Sequence, residues 1–510
     1  MKIKQSRMLR REKYQAWLSI APTLILIVIM CGYPLVQTVA TSFTQWNGVG
    51  APDPVGFKNY VDILSGSQFY LLLKNNFVFL LFIPIDVYKR QVDRRGVPLR
   101  NAIVWLDGRA EKEAEEIAAL PLHREFYHRT GLPAADGLCP AAKVKWLMDN
   151  EPGVYRAAHK ILLLEDYLLL RLCGRFVSER TIQCSTGYYD TRHDRWWDAM
   201  FAALHLDKGK MPELVECGEE VGTLTAEAAQ RLGLPETVRI FAGAMDQIAA
   251  AVGGGNIEEG IVTETTGTAL VIMATTDGDG FDHADGVIVY RHVLPGKFYY
   301  TPYCPTSGMV LKWFKDTFCT EETKAAAQEG RDVYDVLCEM ALAIPPGADG
   351  LVALPYFTGM LQPENNPSMR GIFAGLTLGA TKAHFIRAIL EAVAYMLREN
   401  LEMIERRTHV DIREVRSFGG AAKSSIWRQI KADVCGKRLV TMRQTECASL
   451  GVAMLAACSM GWYPGLEEAA GAQETAALSM PGEKNREVYD AGYGAYKELY
   501  QATKEIYKRN

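Results

Sequence analysis

Apolar and polar positions change rhythm twice along the chain. From residue 14 to residue 52 there are 39 positions without a charge, and the most apolar of them, residues 16–40, would form a helix about 37 Å long, enough to cross a bilayer. Ahead of this run stand Lys2, Lys4, Arg7, Arg10, Arg11 and Lys13 against a single acid, Glu12, which by the positive-inside rule places the N-terminus in the cytoplasm. A secretory signal would have a shorter apolar core ending in a small-residue cleavage site. Here the apolar stretch runs on through Pro34 towards Trp46, so a transmembrane helix over 16–40 is predicted. A second apolar run, residues 77–85, ends at Asp86, Lys89, Arg90, Asp93, Arg94 and Arg95 and is too short to span.

Beyond residue 92 short β-rich runs alternate with helical segments, which predicts an α/β architecture. Strands are expected at 101–105 and 238–242, the latter ending in Gly243, and helices at 111–120 and 155–172. The cluster Gly253–Gly255 marks a boundary between two lobes. Residues 260–265 and 269–274 flank the turn Thr266-Gly267-Thr268 as a hairpin with a small-residue tip. Such a tip can present backbone N–H groups to phosphate oxygens, although a plain hairpin reads the same way. A strand over 415–418 runs into Gly419-Gly420 and a helix over 424–435, a strand, glycine turn and helix start that suits nucleotide phosphates. Near the end Tyr489, Tyr493, Tyr496, Tyr500 and Tyr507 recur at helical spacing, as the packed face of a terminal helix would.

At 510 residues the chain has room for about three units of roughly 150. Its 48% hydrophobic and 23% charged residues exclude a disordered or fibrous chain, and a net charge of −4 leaves no broad basic footprint for nucleic acid, so a small-molecule ligand is expected. The 11 cysteines contain no C-x-x-C pair and the 9 histidines no H-E-x-x-H, which points away from disulfide and zinc frameworks and towards a reducing compartment. The P-loop, the Rossmann G-x-G-x-x-G and the protein-kinase motifs are absent, which leaves a two-lobed hinge enzyme gripping its nucleotide between lobes.

Two resemblances follow from longer motifs. AWLSIAPTLILIVIMCGYPLVQTVATSFTQWNG at 16–48, followed by VGFKNYVDIL at 55–64, resembles the N-terminus of sugar-type ABC transporter permeases over about 88 residues, although a generic anchor would share the apolar run. Residues 92–510 resemble the FGGY carbohydrate kinases. The motifs are AIVWLDGR at 102–109, the segment from Pro140 through Lys143 and Trp146 to Asn150, and Gly371-Ile-Phe-Ala-Gly375-Leu376 followed by His384, Ala388 and Glu391.

The FGGY resemblance implies a two-lobed actin-like ATPase (ribonuclease H-like) fold, with ATP and Mg2+ as cofactors and a sugar or polyol, xylulose-like, as acceptor. It implies Asp246 as catalytic base, accepting a sugar hydroxyl proton as the γ-phosphoryl group moves. Trp105, Asp107, Arg109, Asp246 and Gln247 would face the sugar. Gly267 and Thr268 would contact the β/γ-phosphates, and Gly419, Gly420, Ala421, Lys423 and Ser424 would form the α-phosphate and adenosine site. Magnesium would be held through the phosphates, with Asp246 reaching it through water. A salt bridge on the lobe surface accounts equally for Arg109, and packing accounts for Lys143 and Trp146.

The family opens on a D-x-G-[TS] phosphate hairpin, and residues 1–101 contain none. The expected organisation is therefore a permease-like membrane segment at 1–91, an incomplete first lobe at 92–254 and a second lobe with the nucleotide site at 255–510. Residues 1–91 and 92–510 are expected to derive from two different genes. The kinase part suits the cytoplasm, and a homodimer is the default expectation. The expected activity is sugar phosphorylation with impaired turnover; a transporter membrane subunit and a catalytically dead, membrane-tethered sugar-binding protein are the alternatives.

Overall fold

The computed structural model describes residues 42–45, 53–58, 90–277 and 286–507. The chain divides into two compact units, Met1–Asp86 and Val87–Asn510. In the first, the described residues form a two-residue antiparallel ladder of Thr44–Gln45 with Asp53–Pro54. The membrane helix expected over 16–40 and the shorter run at 77–85 lie outside the described residues. Among the described residues no helix is long and apolar enough to cross a membrane.

The second unit begins with a lobe of short elements. Strand β1 (Arg90–Val92) pairs antiparallel with β2 (Lys160–Leu162), and β3 (Val177–Glu179) pairs parallel with β4 (Glu213–Val215). Helices α1 (Glu111–Ala118), α2 (His123–Thr130), α3 (Pro140–Asn150) and α4 (Leu164–Cys173) surround them, and α5 (Asp246–Gly253) closes the lobe. Among the described residues every strand from 90 to 253 lies in a two-stranded sheet.

The second lobe is built on one eight-stranded sheet. Its strands are β5 (Ile261–Thr266), β6 (Leu270–Thr276), β7 (Ile288–Arg291), β8 (Phe298–Thr301), β9 (Tyr303–Cys304), β10 (Glu414–Phe418), β11 (Arg438–Met442) and β12 (Thr475–Ser479), in the order β7-β8-β6-β5-β10-β11-β12 with β9 also on β6. The pairs β5/β10 and β10/β11 are parallel. Helices α6 (Gly308–Phe318), α7 (Lys382–Thr408), α8 (Ser425–Cys435), α9 (Cys447–Ser459) and α10 (Arg486–Thr503) are among the helices of this lobe. The largest core joins Val262, Leu270 and Val415 of the sheet to Ile389 and Val393 of α7 and Trp427 of α8. Tyr489, Tyr493, Tyr496 and Tyr500 of α10 are buried in it, as their spacing foretold, and Tyr507 packs at its edge.

Helices α5 and α9 meet at backbone contact. A Cβ on Gly253 would lie 1.9 Å from the Cys447 carbonyl oxygen, and one on Gly451 would lie 1.9 Å from that of Ala249. Only glycine fits at such a crossing, so the two residues fix the position of α5 and of Asp246 at its start.

Two predicted elements differ. Residues 101–105 form no strand, because the Lys143 ammonium donates to the carbonyl oxygens of Val104 and Trp105, so a side chain rather than a ladder satisfies this backbone. The helix expected over 155–172 is broken: residues 160–162 leave it to pair with β1, and α4 restarts where Asp166 Oδ2 accepts the Leu163 N–H at 2.7 Å.

Candidate functional site

Three cavities converge on the first residues of α5. The largest, about 490 Å³, is lined by Trp105, Lys143, Asp246, Gln247, Ile288 and Tyr290 among others. A second, about 360 Å³, has Glu165, Met245, Asp246 and Ser449 in its walls. The third, about 250 Å³, runs from Gln247 past Thr265 to Gly419 and Cys447. Asp246 thus borders the first two cavities and Gln247 the first and third.

Asp246 is the first residue of α5, and its Oδ1 accepts the Gln247 N–H at 2.6 Å. The turn before it is held from the first lobe, where the Thr181 hydroxyl accepts the Met245 N–H at 3.0 Å. That hydroxyl in turn donates to Glu179 Oε2 at 2.6 Å, and the Glu179 carboxylate also accepts the N–H groups of Thr181 and Ile182. Burial pushes the carboxyls of Glu165 and Glu179 up, and that of Glu165 is raised further by its neighbours Glu179 and Asp166. Burial likewise raises Asp166 to about 7. Asp246 is the exposed carboxylate of this group and borders both cavities, whereas Glu165 lines only the second and is half-buried.

The loop carrying Trp105 is pinned by Lys143, whose buried ammonium is shifted down by desolvation and partly restored by Asp107. Asp107 and Arg109 stand on this loop but outside the cavity lining, and they pair with each other: Arg109 Nε reaches Asp107 Oδ1 at 2.9 Å and Nη2 reaches Oδ2 at 2.6 Å. The guanidinium also lies over the Trp146 ring, 4.7 Å from its centroid. Of the five residues expected to face the sugar, Trp105, Asp246 and Gln247 line the cavity, while Asp107 and Arg109 shape the loop behind it. The hydrogen bond from Arg109 holds the Asp107 carboxyl below its ordinary range.

Ile288 and Tyr290 were not expected here. They come from β7, the edge strand of the second lobe's sheet, which docks on the first lobe through Val289 N–H to the Gly131 carbonyl at 2.9 Å. Arg291, at the end of β7, bridges Asp194 Oδ1 at 2.9 Å and Glu216 Oε2 at 2.8 Å. No local motif marks such a wall, because it arises from pairing across more than 150 residues.

The glycine loops lie side by side because β5 and β10 are parallel neighbours in register, Thr265 opposite Phe418. Gly267 and Thr268 leave the end of β5 exposed, and Gly419 and Gly420 leave the end of β10 exposed. Gly419 has φ +82°, and a Cβ there would lie 2.8 Å from the Thr266 carbonyl oxygen. A Cβ on Gly308, at the start of α6, would lie 2.4 Å from the Gly267 carbonyl. Ala421 is buried. Lys423 is exposed, and the Ser424 hydroxyl caps α8 by accepting the Trp427 N–H at 3.3 Å.

This cradle of small residues beside a helix start fits a nucleotide's phosphates. Among the described residues no three acidic, histidine or cysteine side chains converge as a metal cage.

Residues 89–253 match the FGGY family of carbohydrate kinases, N-terminal domain, and residues 261–460 its C-terminal domain. The xylulose kinase of Lactococcus lactis subsp. lactis is 30% identical over 417 residues, covering 81% of each chain. The gluconokinase of Bacillus subtilis is 28% identical over 377 residues, 73% of this chain and 71% of that one. Among solved structures, xylulose kinase from Rhodospirillum rubrum superposes with a TM-score of 0.74 at 28% identity, covering 82% of this chain and 83% of its own. Plasmodium falciparum glycerol kinase with ADP shares the fold, with a TM-score of 0.71 at 20% identity over 81% of each chain. The chain therefore belongs to the FGGY family of carbohydrate kinases, ATP-dependent phosphotransferases with an alcohol group as acceptor and an actin-like α/β fold.

Proposed function

We propose that residues 92–510 phosphorylate a hydroxyl of a xylulose-like sugar, with Asp246 as the general base. The observation that carries this reading is the position of Asp246, exposed at the meeting of the cavity walled by Trp105 and Tyr290 with the cavity walled by Glu165 and Ser449. A sugar in the larger cavity would offer a hydroxyl to this carboxylate, which takes its proton as the oxygen attacks. Bound MgATP would supply the phosphoryl group and the cation that neutralises its charge. Gly267, Thr268, Gly419 and Gly420 would hold the phosphates by their backbone, with Lys423 and Ser424 at the mouth of the adenosine side. Trp105 and Gln247 orient the sugar, and Asp107 and Arg109 act through the loop that carries Trp105.

The first lobe suits slow turnover. Residues 1–101 hold no D-x-G-[TS] hairpin, and the strands at 90–253 pair only two by two. Positioning and charge neutralisation carry most of phosphoryl transfer, so a site without that hairpin binds sugar and nucleotide better than it joins them. On this reading the lobes run 92–254 and 255–510, and the transporter alternative rests chiefly on the apolar runs at 16–40 and 77–85, which lie outside the described residues. Sugar-dependent ADP release by the full chain and by Asp246→Asn tests the proposal; an unchanged rate in the variant refutes the role of Asp246.

A further inference from the structure

Directly beneath the two glycine loops lies a polar cluster closed to solvent. Glu264, Thr266, Ser417 and Lys431 are each no more than 1% exposed. Lys431 Nζ donates to Glu264 Oε1 at 2.8 Å and to the Thr266 hydroxyl at 2.7 Å. The Thr266 hydroxyl donates to Glu264 Oε2 at 2.7 Å, and the Ser417 hydroxyl donates to Glu264 Oε1. The ammonium also lies 5.5 Å from the centroid of the Trp427 ring.

These bonds join the three elements that carry the loops. Thr266 is the last residue of β5 and precedes Gly267; Ser417 on β10 stands two residues before Gly419; Lys431 lies on α8, whose N-cap is Ser424. At 1% exposure the Lys431 ammonium cannot touch a ligand in the cleft. A buried ion pair pays a desolvation penalty that well-packed apolar side chains of similar volume avoid, so stability alone would be served as well by leucine and methionine. What apolar residues would not supply is direction: each bond fixes one loop-bearing element against the same carboxylate.

We infer that Glu264 and Lys431 are positioning residues that set the spacing of the Gly267 and Gly419 loops for nucleotide phosphates, an inference that rests on reading those loops as the nucleotide site. The test is calorimetric titration of the full chain with MgADP, paired with the thermal unfolding midpoint. The double variant E264L/K431M removes both charges together and keeps side-chain volume. It is expected to unfold within a few degrees of the parent and to bind MgADP about tenfold more weakly. S417A keeps the ion pair but releases β10, and is expected to weaken MgADP about threefold.

Parental affinity in the double variant at an unchanged midpoint would overturn the inference. Should the double variant not fold, parental affinity in S417A would overturn it instead. No MgADP binding by the parent chain would overturn the nucleotide-site reading and the inference together, which separates the two failures.

Discussion

The ammonium of Lys143 on α3 donates to the carbonyl oxygen of Trp105 at 2.8 Å, so a buried helix residue fixes the loop that walls the largest cavity. Lys143→Met should therefore release this loop and its Asp107–Arg109 pair. The expected outcome is a stability loss of about 1–3 kcal/mol, from the two hydrogen bonds that Lys143 supplies, and sugar affinity that falls about tenfold while MgADP affinity holds. Denaturant unfolding and two calorimetric titrations check this; equal losses for both ligands would place Lys143 in general packing only.

Asp246→Asn removes the base but keeps the hydrogen-bond geometry at the start of α5. Single-turnover transfer with enzyme in excess should fall by about 10²–10⁴-fold, with sugar affinity unchanged within about threefold.

Gly419→Ala places a methyl group 2.8 Å from the Thr266 carbonyl at φ +82°. The variant should lose about 1–3 kcal/mol and bind MgADP more weakly than xylulose, because the strain lies between the two loops. Intact MgADP binding would remove Gly419 from the nucleotide site.

Asp166 is fully buried and titrates at about 7, well above the ordinary aspartate value of 3.8. The native state thus holds a proton that the unfolded chain has released, so stability should decline as pH rises from about 4 to about 7. Glu165 and Glu179, also raised, act in the same direction. Asp166→Asn keeps an acceptor for the Leu163 N–H and should flatten that decline. Urea midpoints of both proteins at pH 5 and pH 8 check it; parallel declines would show that Asp166 is not their source.

Local pattern predicted what local physics decides. The hairpin about Gly267 and the α10 tyrosines were legible because alternation and helical spacing each report a single buried face. The break at residues 158–163 was not, since an apolar run reads alike as helix or strand until β1 arrives to pair with it. Residues 101–105 failed as a strand because their acceptors are met by Lys143, 38 residues away from Trp105. Asp246 became a candidate by resemblance, whereas the β7 wall with Ile288 and Tyr290 depended on contacts between lobes that no window of sequence contains.

The most direct test of a sugar-kinase core slowed by an incomplete first lobe is xylulose-dependent ADP release by the full chain, measured beside the Lactococcus lactis xylulose kinase. The account predicts turnover at least about 100-fold below that relative, together with measurable binding of both xylulose and MgADP. Turnover equal to the relative's would contradict it.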